Sequence, residues 1–343
     1  MPIVDPTTDP LGVLTASRAV MERATRVSID PERVAAIAAD LAPNATIGSE
    51  WGGDDDSTAG LHFRDGTWRT AAWVLVLDAL NFCFWAQGDD PDARWRVSFR
   101  GQVYDGYWAL AAALTRAVEE GFPIWDAAYL AGISEADLGA ILRPSDLAEA
   151  PGTTPVPLFP ERLANLRELG RGLLEGGEGE SAIGTLLDDA GGSAARMVDL
   201  VARRFPSFAD VATYGDLRVP LYKRAQILIS DLHGAGAATF TDLDVLTAFA
   251  DYKVPQVLRR FGILVYAPAL ADRIARRDLI PAGSAPEVEI RAATVWACEL
   301  LRRAVAARGV ALRAFEIDWA LWSIGQSLPP GTEPYHRTRT IYY

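Results

Sequence analysis

The stretch Thr70-Ala-Ala-Trp-Val-Leu-Val-Leu-Asp-Ala-Leu-Asn-Phe-Cys-Phe-Trp85 decides the fold class of this chain. It is almost wholly apolar and too long for an ordinary strand, so it predicts a buried helix from Thr70 to Trp85. Asp78, Asn81 and Trp85 recur in it at helical spacing. Buried Asp and Asn need hydrogen-bond partners, so these two either belong to an internal polar network or point into a cavity.

Helical patterns continue along most of the chain. Asp30 followed by Pro31 predicts the capped start of a helix that runs to Asp40. The other predicted helices cover 107–120, a segment after Ser134, 160–175, 180–189, 193–204, 219–233, 241–249, 254–261, 268–276, 285–307 and 315–326.

Strand patterns are rare. Arg94–Tyr104 alternates apolar and polar residues around Gly101, which predicts a short β-hairpin. After residue 110 the strand signal is almost nil, so the chain is predicted to be mostly α with one small β-hairpin element. We expect a single domain over residues 1–343, with 151–160, rich in Pro and Thr, as the place of any sub-domain boundary.

Composition narrows the classes of partner. The 343 residues carry a formal net charge of −12, which argues against binding duplex nucleic acid, since that needs a clustered basic face. A small anionic ligand remains compatible, because one or two cations in a cleft can hold it. Cys83 and Cys298 lie in apolar runs and are predicted core residues. The three histidines have no metal-ligand spacing, so no metal is expected.

The chain opens without a signal-peptide pattern and has no apolar run of membrane-spanning length. We therefore expect a cytoplasmic protein with no membrane partner. No pattern indicates a particular oligomeric state.

Lysine is rare in this sequence. Lys223 and Lys253 are its two lysines, in Leu221–Leu228 and Phe249–Leu258, and arginine fills the other basic positions. Lysine is a compact point charge, whereas arginine is a rigid planar fork. Retained lysines indicate a site that needs one small cation, for a phosphate oxygen or a buried carboxylate. The alternative is two chance survivors on a solvated surface.

Leu243–Tyr266 is predicted as helix, turn, helix, turn. Asp251 would end the first helix and Pro255 would begin the second, because proline fits the first turn and disfavours helix just before it. Asp251 and Lys253 would then share a tight corner that faces the N-terminal dipole of the second helix. The alternative is that Asp251 is an ordinary N-cap.

Two features near the C-terminus are candidates for ligand binding. Asp318, Trp319 and Trp322 place aromatic faces beside a carboxylate, which suits a flat ligand with N–H donors; the alternative is ordinary core packing of an amphipathic helix. His336–Tyr343 alternates apolar and polar residues, which predicts an ordered, tucked segment that seals the core or supplies an arginine to an anion.

Several stretches together resemble the queuosine salvage family of queuosine 5′-phosphate N-glycosylases. They keep their order and span almost the whole chain: Asp78–Trp85, Tyr104–Trp108, Phe205–Phe208, Tyr222–Leu228, Phe249–Leu258, Glu287–Arg291 and His336–Tyr343. The resemblance implies a helical fold similar to helix-hairpin-helix DNA glycosylases. It implies hydrolysis of the N-glycosidic bond of queuosine 5′-monophosphate, without a cofactor, to release queuine for tRNA modification.

Carried over residue by residue, the resemblance implies that Asp251 is the catalytic carboxylate and Phe249 stacks on the ligand. It implies that Asp318 reads the base, with Trp319 as a further aromatic. His62 matches a ligand-contacting histidine, within a loosely matching Gly60-Leu-His-Phe63.

Other positions complete the expected site. Ser323 stands where relatives are expected to carry an acidic residue for the charged amine of the queuine side arm. Tyr252 is expected beside the ligand, and either Lys223 or Lys253 is expected at the 5′-phosphate. Asp231, on the same predicted helix as Lys223, is the reserve candidate for the catalytic carboxylate.

Two other functions compete with this one. A base-excision glycosylase acting on a polynucleotide is opposed by the negative net charge. A non-catalytic protein that binds queuine or a nucleotide would have no need of Asp251 facing the ribose.

Overall fold

The computed structural model describes residues 9–41, 60–86 and 93–343. These residues are 54% helix and 9% strand, which confirms the mostly helical prediction. The helices are α1 (Val13–Met21), α2 (Pro31–Leu41), α3 (Trp68–Leu80), α4 (Gly106–Glu119), α5 (Ala127–Gly132), α6 (Glu135–Ile141), α7 (Phe159–Leu174), α8 (Glu180–Ala190), α9 (Ala194–Arg204), α10 (Lys223–Gly234), α11 (Lys253–Arg260), α12 (Pro268–Ala275), α13 (Ala285–Ala306) and α14 (Ala314–Gln326). No helix in the described ranges is long and apolar enough to cross a membrane.

Helix α3 lies at the centre of the largest core. Thr67 caps it by accepting the backbone N–H of Arg69 at 3.2 Å, and every residue from Thr70 to Leu80 is buried. A helix that is apolar on all sides must be covered on all sides. Helices α4, α7, α8 and α10 provide that cover.

The prediction that this helix continues to Trp85 was wrong, because two buried arginines take the carbonyl groups that would continue it. Arg224 donates to the carbonyl oxygens of Asp78 at 3.0 Å and Ala79 at 2.7 Å. Arg162 donates to those of Leu80, Phe82 and Cys83. Two cations at a helix C-terminus satisfy its free carbonyls and its dipole.

Strands make three two-stranded antiparallel sheets within the described residues. Their members are β1 (Val27–Ile29) with β6 (Leu264–Tyr266), β2 (Arg96–Phe99) with β3 (Gln102–Asp105), and β4 (Val211–Tyr214) with β5 (Leu217–Pro220). The pair β2–β3 is the predicted hairpin, with Gly101 in its turn at φ +79°. The expectation of one small β element, drawn from a strand signal that is almost nil after residue 110, was wrong, since β4, β5 and β6 lie there. These strands are only three or four residues long, and β6 pairs with a strand remote in sequence.

Two predicted helices need correction. The helix predicted over 219–233 begins only at Lys223, because 217–220 is strand β5. The helix predicted over 241–249 is a single 3-10 turn at Leu243–Val245, so Asp251 does not end a helix.

Side chains from other elements hold residues 246–251 in a non-helical conformation. Gln226 accepts the backbone N–H of Thr247 at 2.8 Å, and Arg291 donates to the carbonyl oxygen of Ala250 at 3.0 Å. Because these side chains satisfy the backbone, the segment needs no helical hydrogen bonds.

Residues on both sides of 151–160 contribute to the core around α3, including Leu138 and Leu166. A second core joins α2, α11, α13 and α14. The division of the chain near 151–160 stays a prediction.

The C-terminal segment is tucked into the molecule, as predicted. His336, Thr338 and Tyr343 are buried. The Tyr343 hydroxyl donates to Glu287 at 2.9 Å, and its backbone oxygen accepts the N–H of Cys83 at 3.0 Å. This segment therefore fixes the irregular stretch that follows α3.

Candidate active site

A cavity of about 250 Å³ lies where the stretch after α3 meets α10, α11, α14 and the C-terminal segment. Carboxylates, cations and aromatic rings line it together. The chemically distinctive lining residues are Asn81, Trp85, Arg94, Asp105, Tyr107, Lys223, Asp231, Phe249, Asp251, Tyr252, Lys253, Asp318, Trp319, Trp322, Tyr335, Arg337 and Tyr343. Most of the residues singled out in the sequence therefore meet at one place.

Helix α10 presents Lys223, Ile227 and Asp231 to the cavity. Residues four apart lie on one face of a helix, so this spacing follows from the sequence. The carbonyl oxygen of Asp210 accepts the N–H groups of Leu221 and Tyr222, and its carboxylate accepts that of Lys223 at 3.1 Å. These bonds fix where α10 begins.

Asp251 stands two residues before the start of α11, with Tyr252 between them. Its Oδ1 accepts the backbone N–H groups of Lys253 at 2.9 Å and Val254 at 2.8 Å. This is the N-cap geometry that sequence reasoning offered as the alternative. Asp251 is also 8% exposed and lines the cavity, so its capping bonds orient a carboxylate that a ligand can reach.

Helix α14 presents Asp318, Trp319, Trp322 and Gln326 to the cavity. Asp318 accepts the backbone N–H of Phe249 at 2.9 Å, which joins the carboxylate to the segment 246–251. Phe249 stacks on Phe315 with ring centroids 6.4 Å apart, and Trp319 meets the edge of the same ring at 5.0 Å. The result is a rigid aromatic wall beside a carboxylate.

Lys223 is buried at the polar end of the cavity. Its Nζ donates to the carbonyl oxygen of Asn81 at 3.4 Å. Burial lowers the pKa of Lys223, while the nearby negative charges of Asp251, Asp78 and Asp318 favour its charged form. Lys223 therefore lies among carboxylates whose charges oppose the effect of burial.

Burial raises the pKa of two carboxyl groups at this end. For Asp251, the charge of Lys223 and then the N–H donors of Val254 and Lys253 oppose the rise. For Asp78, the negative charge of Asp231 adds to the effect of burial and raises the pKa well above its ordinary value. The charge of Lys223 thus favours the ionised form of Asp251. Burial and the charge of Asp231 favour the protonated form of Asp78.

A second group of cations lies toward the more exposed part of the cavity. Lys253 is half-buried, with its Nζ 5.5 Å from the centre of the Tyr335 ring. Arg94 forms an ion pair with Asp105 at 2.9 Å, and both side chains are more than two-fifths exposed. Arg337 also lines the cavity, and its charge, like that of Arg94, acts on the Tyr335 hydroxyl and lowers its pKa against the effect of burial. Tyr252 packs against Tyr335 with ring centroids 4.8 Å apart.

Two predicted site residues are not brought into the cavity lining. His62 lies behind Tyr107, with Nε2 2.8 Å from the tyrosine hydroxyl oxygen. Ser323 is exposed on α14, next to the lining residue Trp322 but on another face of the helix.

Sequence reasoning gave no binding role to Arg94, Asp105, Tyr107 or Tyr335. A signal existed for Tyr107, since it follows the β-hairpin directly and stands in the polar-aromatic stretch 104–108. Tyr335 precedes the C-terminal segment by one residue, and only the fold carries it to Tyr252. Among residues 9–41, 60–86 and 93–343, no cluster of His, Cys, Asp or Glu side chains is arranged to hold a metal ion.

Comparison with known proteins shows the family of this chain. Residues 61–343 match the family described as queuosine salvage protein. The chain is 52% identical to a queuosine 5′-phosphate N-glycosylase/hydrolase of Sphaerobacter thermophilus over 98% of both chains. It is 35% identical to the protein of that name from Mus musculus, over 97% of this chain and 99% of the mouse protein, and 32% identical to the one from Schizosaccharomyces pombe, over 82% and 86%. The chain belongs to the queuosine salvage protein family.

Proposed function

We propose that this chain hydrolyses the N-glycosidic bond of queuosine 5′-monophosphate and releases queuine. The observation that carries the proposal is Asp251, a carboxylate on the cavity wall whose orientation is set by two backbone N–H groups. The name shared by the relatives supports the choice of substrate.

The proposed chemistry at the ribose uses Asp251. Cleavage passes through an oxocarbenium-like state, which a fixed carboxylate stabilises. The bond between C1′ and the base nitrogen breaks, and its electron pair stays on the base. A water oxygen bonds to C1′, and Asp251 is the base that takes the water proton. The leaving nitrogen gains a proton, for which Asp231 and Lys223, both in the lining, are the candidate acids.

The aromatic wall is the proposed site of the base. Phe249 and Trp319 offer faces for stacking, and Asp318 offers a buried acceptor for N–H groups of a guanine-like edge. A 7-deazaguanine has carbon in place of N7 and so lacks the usual route for protonating a departing purine. Orientation by Asp318 therefore matters more for this base than for guanine.

Lys253 is the better candidate for the 5′-phosphate. It is half-buried and shares its part of the cavity with Arg94 and Arg337, so several cations can converge on one anion. Lys253 has Asp251 and Asp105 nearby, whereas Lys223 is buried with Asp251, Asp78 and Asp318 around it, which leaves less room for a further anion. We propose that Lys223 serves instead to keep Asp251 ionised.

We also propose that the helices around Asp251 are arranged as in helix-hairpin-helix DNA glycosylases. The mostly helical fold and a carboxylate at the start of a helix support this. Superposition of an experimental structure on such glycosylases is its test.

Product analysis tests the function directly. The purified protein is incubated separately with queuosine 5′-monophosphate, the nucleoside queuosine and a base-modified duplex oligonucleotide, and free base is measured by mass spectrometry. We expect queuine and ribose 5-phosphate from the nucleotide and no base from the duplex. Tight queuine binding without turnover would support the non-catalytic alternative, and base release from the duplex would support the polynucleotide alternative.

A further inference from the structure

We propose that Arg291 is a positioning residue for the reaction: it fixes the backbone that carries Asp251 and, through Asp210, the start of the helix that carries Lys223. This inference rests on the proposed function, because it concerns two side chains to which that function gives roles. Arg291 lies on α13 and is not among the residues that line the cavity. It therefore acts on the site through other residues.

The guanidinium of Arg291 has a buried acceptor for each of its three nitrogens. Nη1 and Nη2 donate to the two carboxylate oxygens of Asp210 at 2.9 and 2.6 Å, and Nε donates to the carbonyl oxygen of Ala250 at 3.0 Å. The side chains of Arg291 and Asp210 are 2% and 3% exposed. A planar fork holds its partners in one geometry, which a point charge does not do. Arg291 thus ties Ala250 to Asp210.

The two tied positions adjoin the groups proposed to act on the ribose. Ala250 directly precedes Asp251 in the chain. Asp210 accepts the backbone N–H of Lys223 at 3.1 Å, on the same Oδ2 that receives Nη2 of Arg291. Arg291 therefore sets how far the segment carrying Asp251 lies from the first turn of α10. The proposed effect of Lys223 on Asp251 depends on that separation, because the energy between two charges falls with distance.

Arg291 is charged in this buried place. Burial acts to lower its pKa, but Asp210, by its charge and its hydrogen bonds, and then the charge of Glu287 raise the pKa above its ordinary value. Glu287 stands four residues earlier on the same face of α13, 3.6 Å from Nη1. Carboxylates beside the guanidinium thus balance its charge. A substitution that keeps the charge and loses the fork isolates the effect of Arg291 on position.

Arg291→Lys is that substitution. An ammonium group cannot hold both Asp210 oxygens and the Ala250 carbonyl in the same geometry. We expect kcat for queuosine 5′-monophosphate to fall roughly ten- to hundredfold, with KM within about threefold of the parent, because a small displacement of reacting groups slows the chemical step.

Glu289→Gln is the matched control. Glu289 lies on the same helix, is fully buried and pairs with Arg26 at 2.7 Å, and neither residue lines the cavity. Loss of a buried ion pair should lower the thermal midpoint of this variant. Its kcat should equal that of the parent.

The pH–rate profile separates a positioning role from a loss of stability. Burial raises the pKa of Asp251 and Lys223 opposes that rise, so loosening the two in Arg291→Lys should raise this pKa and move the acidic limb to higher pH. In a Lys223→Met background, Arg291→Lys should move the limb no further. The other groups that face Asp251 are the same in all these variants: Lys253, the N–H groups of Lys253 and Val254, the Tyr252 hydroxyl and, on α13, the Cys298 thiol.

The outcomes are separable. An unchanged kcat or an unmoved limb in Arg291→Lys would overturn the inference, as would an equal limb shift with and without Lys223. If Arg291→Lys does not fold, as judged by its thermal midpoint, kcat is measured for Asp210→Asn, which keeps Arg291 and its bond to Ala250. That kcat should fall roughly tenfold or more, and a value equal to that of the parent would likewise overturn the inference. Failure of the unmodified protein to release queuine would count against the proposed function instead.

Discussion

Asp318 accepts the backbone N–H of Phe249 at 2.9 Å, so one carboxylate both faces the cavity and holds the segment that carries the stacking aromatic. A carboxylate has two oxygens and can accept several hydrogen bonds. The proposed base recognition and the position of the aromatic wall would therefore depend on the same side chain.

Asp318→Ala should weaken queuine binding by roughly 1.5–3 kcal/mol, because a buried N–H edge would lose its charged acceptor. Asp318→Asn is the matched control, since its amide oxygen can still accept the N–H of Phe249. We expect the Asn variant to keep the thermal midpoint of the parent yet lose most of the affinity in calorimetry. Unchanged queuine affinity in the Ala variant would contradict the base-reading role.

Lys253→Met should lower kcat/KM for queuosine 5′-monophosphate far more than for queuosine. Binding energy from the remote phosphate helps to orient the ribose, so kcat should fall together with affinity. Lys253→Arg should recover only part of the loss. The guanidinium keeps the positive charge, but it is larger and more rigid than the ammonium group. Arg260→Met, at an exposed position on α11, is the control and should leave both substrates unaffected. Equal losses on the two substrates for Lys253→Met would place the phosphate elsewhere.

Lys223→Met should move the acidic limb of the pH–rate profile to higher pH. In the proposed mechanism Asp251 acts as a carboxylate anion; burial raises its pKa, and Lys223 opposes that rise. Removing the cation raises the pKa of Asp251 further, so activity is lost earlier as the pH falls. Lys253 and the two capping N–H groups also face Asp251 and remain in the variant. Lys223→Arg keeps the charge and should keep the limb nearer that of the parent; an unmoved limb in Lys223→Met would refute this electrostatic role.

Arg162→Met should destabilise the fold by at least about 3 kcal/mol, because several buried carbonyls would lose a charged donor. The guanidinium donates to Pro157 at 2.8 Å and Phe82 at 2.5 Å, among others. Arg171→Met, exposed on the same helix, should change stability by no more than about 0.5 kcal/mol. Denaturant unfolding of both variants measures the difference, and similar midpoints would show that the stretch after α3 does not depend on Arg162.

The sequence predicted those parts of the fold that local patterns determine. Periodicity and caps predicted most helices, such as α2 behind Asp30, whose carboxylate accepts the N–H of Glu32 at 2.9 Å. Prediction from local patterns failed where side chains distant in sequence replace local backbone hydrogen bonds. The stretch after Leu80 and the segment 246–251 both look helical in sequence, yet arginines, Gln226 and Asp318 hold them in non-helical conformations.

The candidate site was also predictable only in part: residues marked by local patterns or resemblance were found, and residues placed by the tertiary fold were not. Lys223, Asp231, Asp251 and Asp318 were singled out by residue type and spacing, or by resemblance, and all four line the cavity. Tyr335 could not be placed, because only the tertiary fold brings it to Tyr252. Its contribution depends on packing between elements far apart in sequence.

Queuine release by Asp251→Asn is the most direct test of the central claim. The asparagine oxygen can keep the capping bonds to Lys253 and Val254, so the fold should be preserved while the negative charge is lost. Turnover of queuosine 5′-monophosphate should fall by roughly 10²–10³ or more, with queuine affinity within a few fold of the parent in calorimetry. Turnover within about tenfold of the parent would contradict the assignment and move the catalytic role to Asp231 or another group.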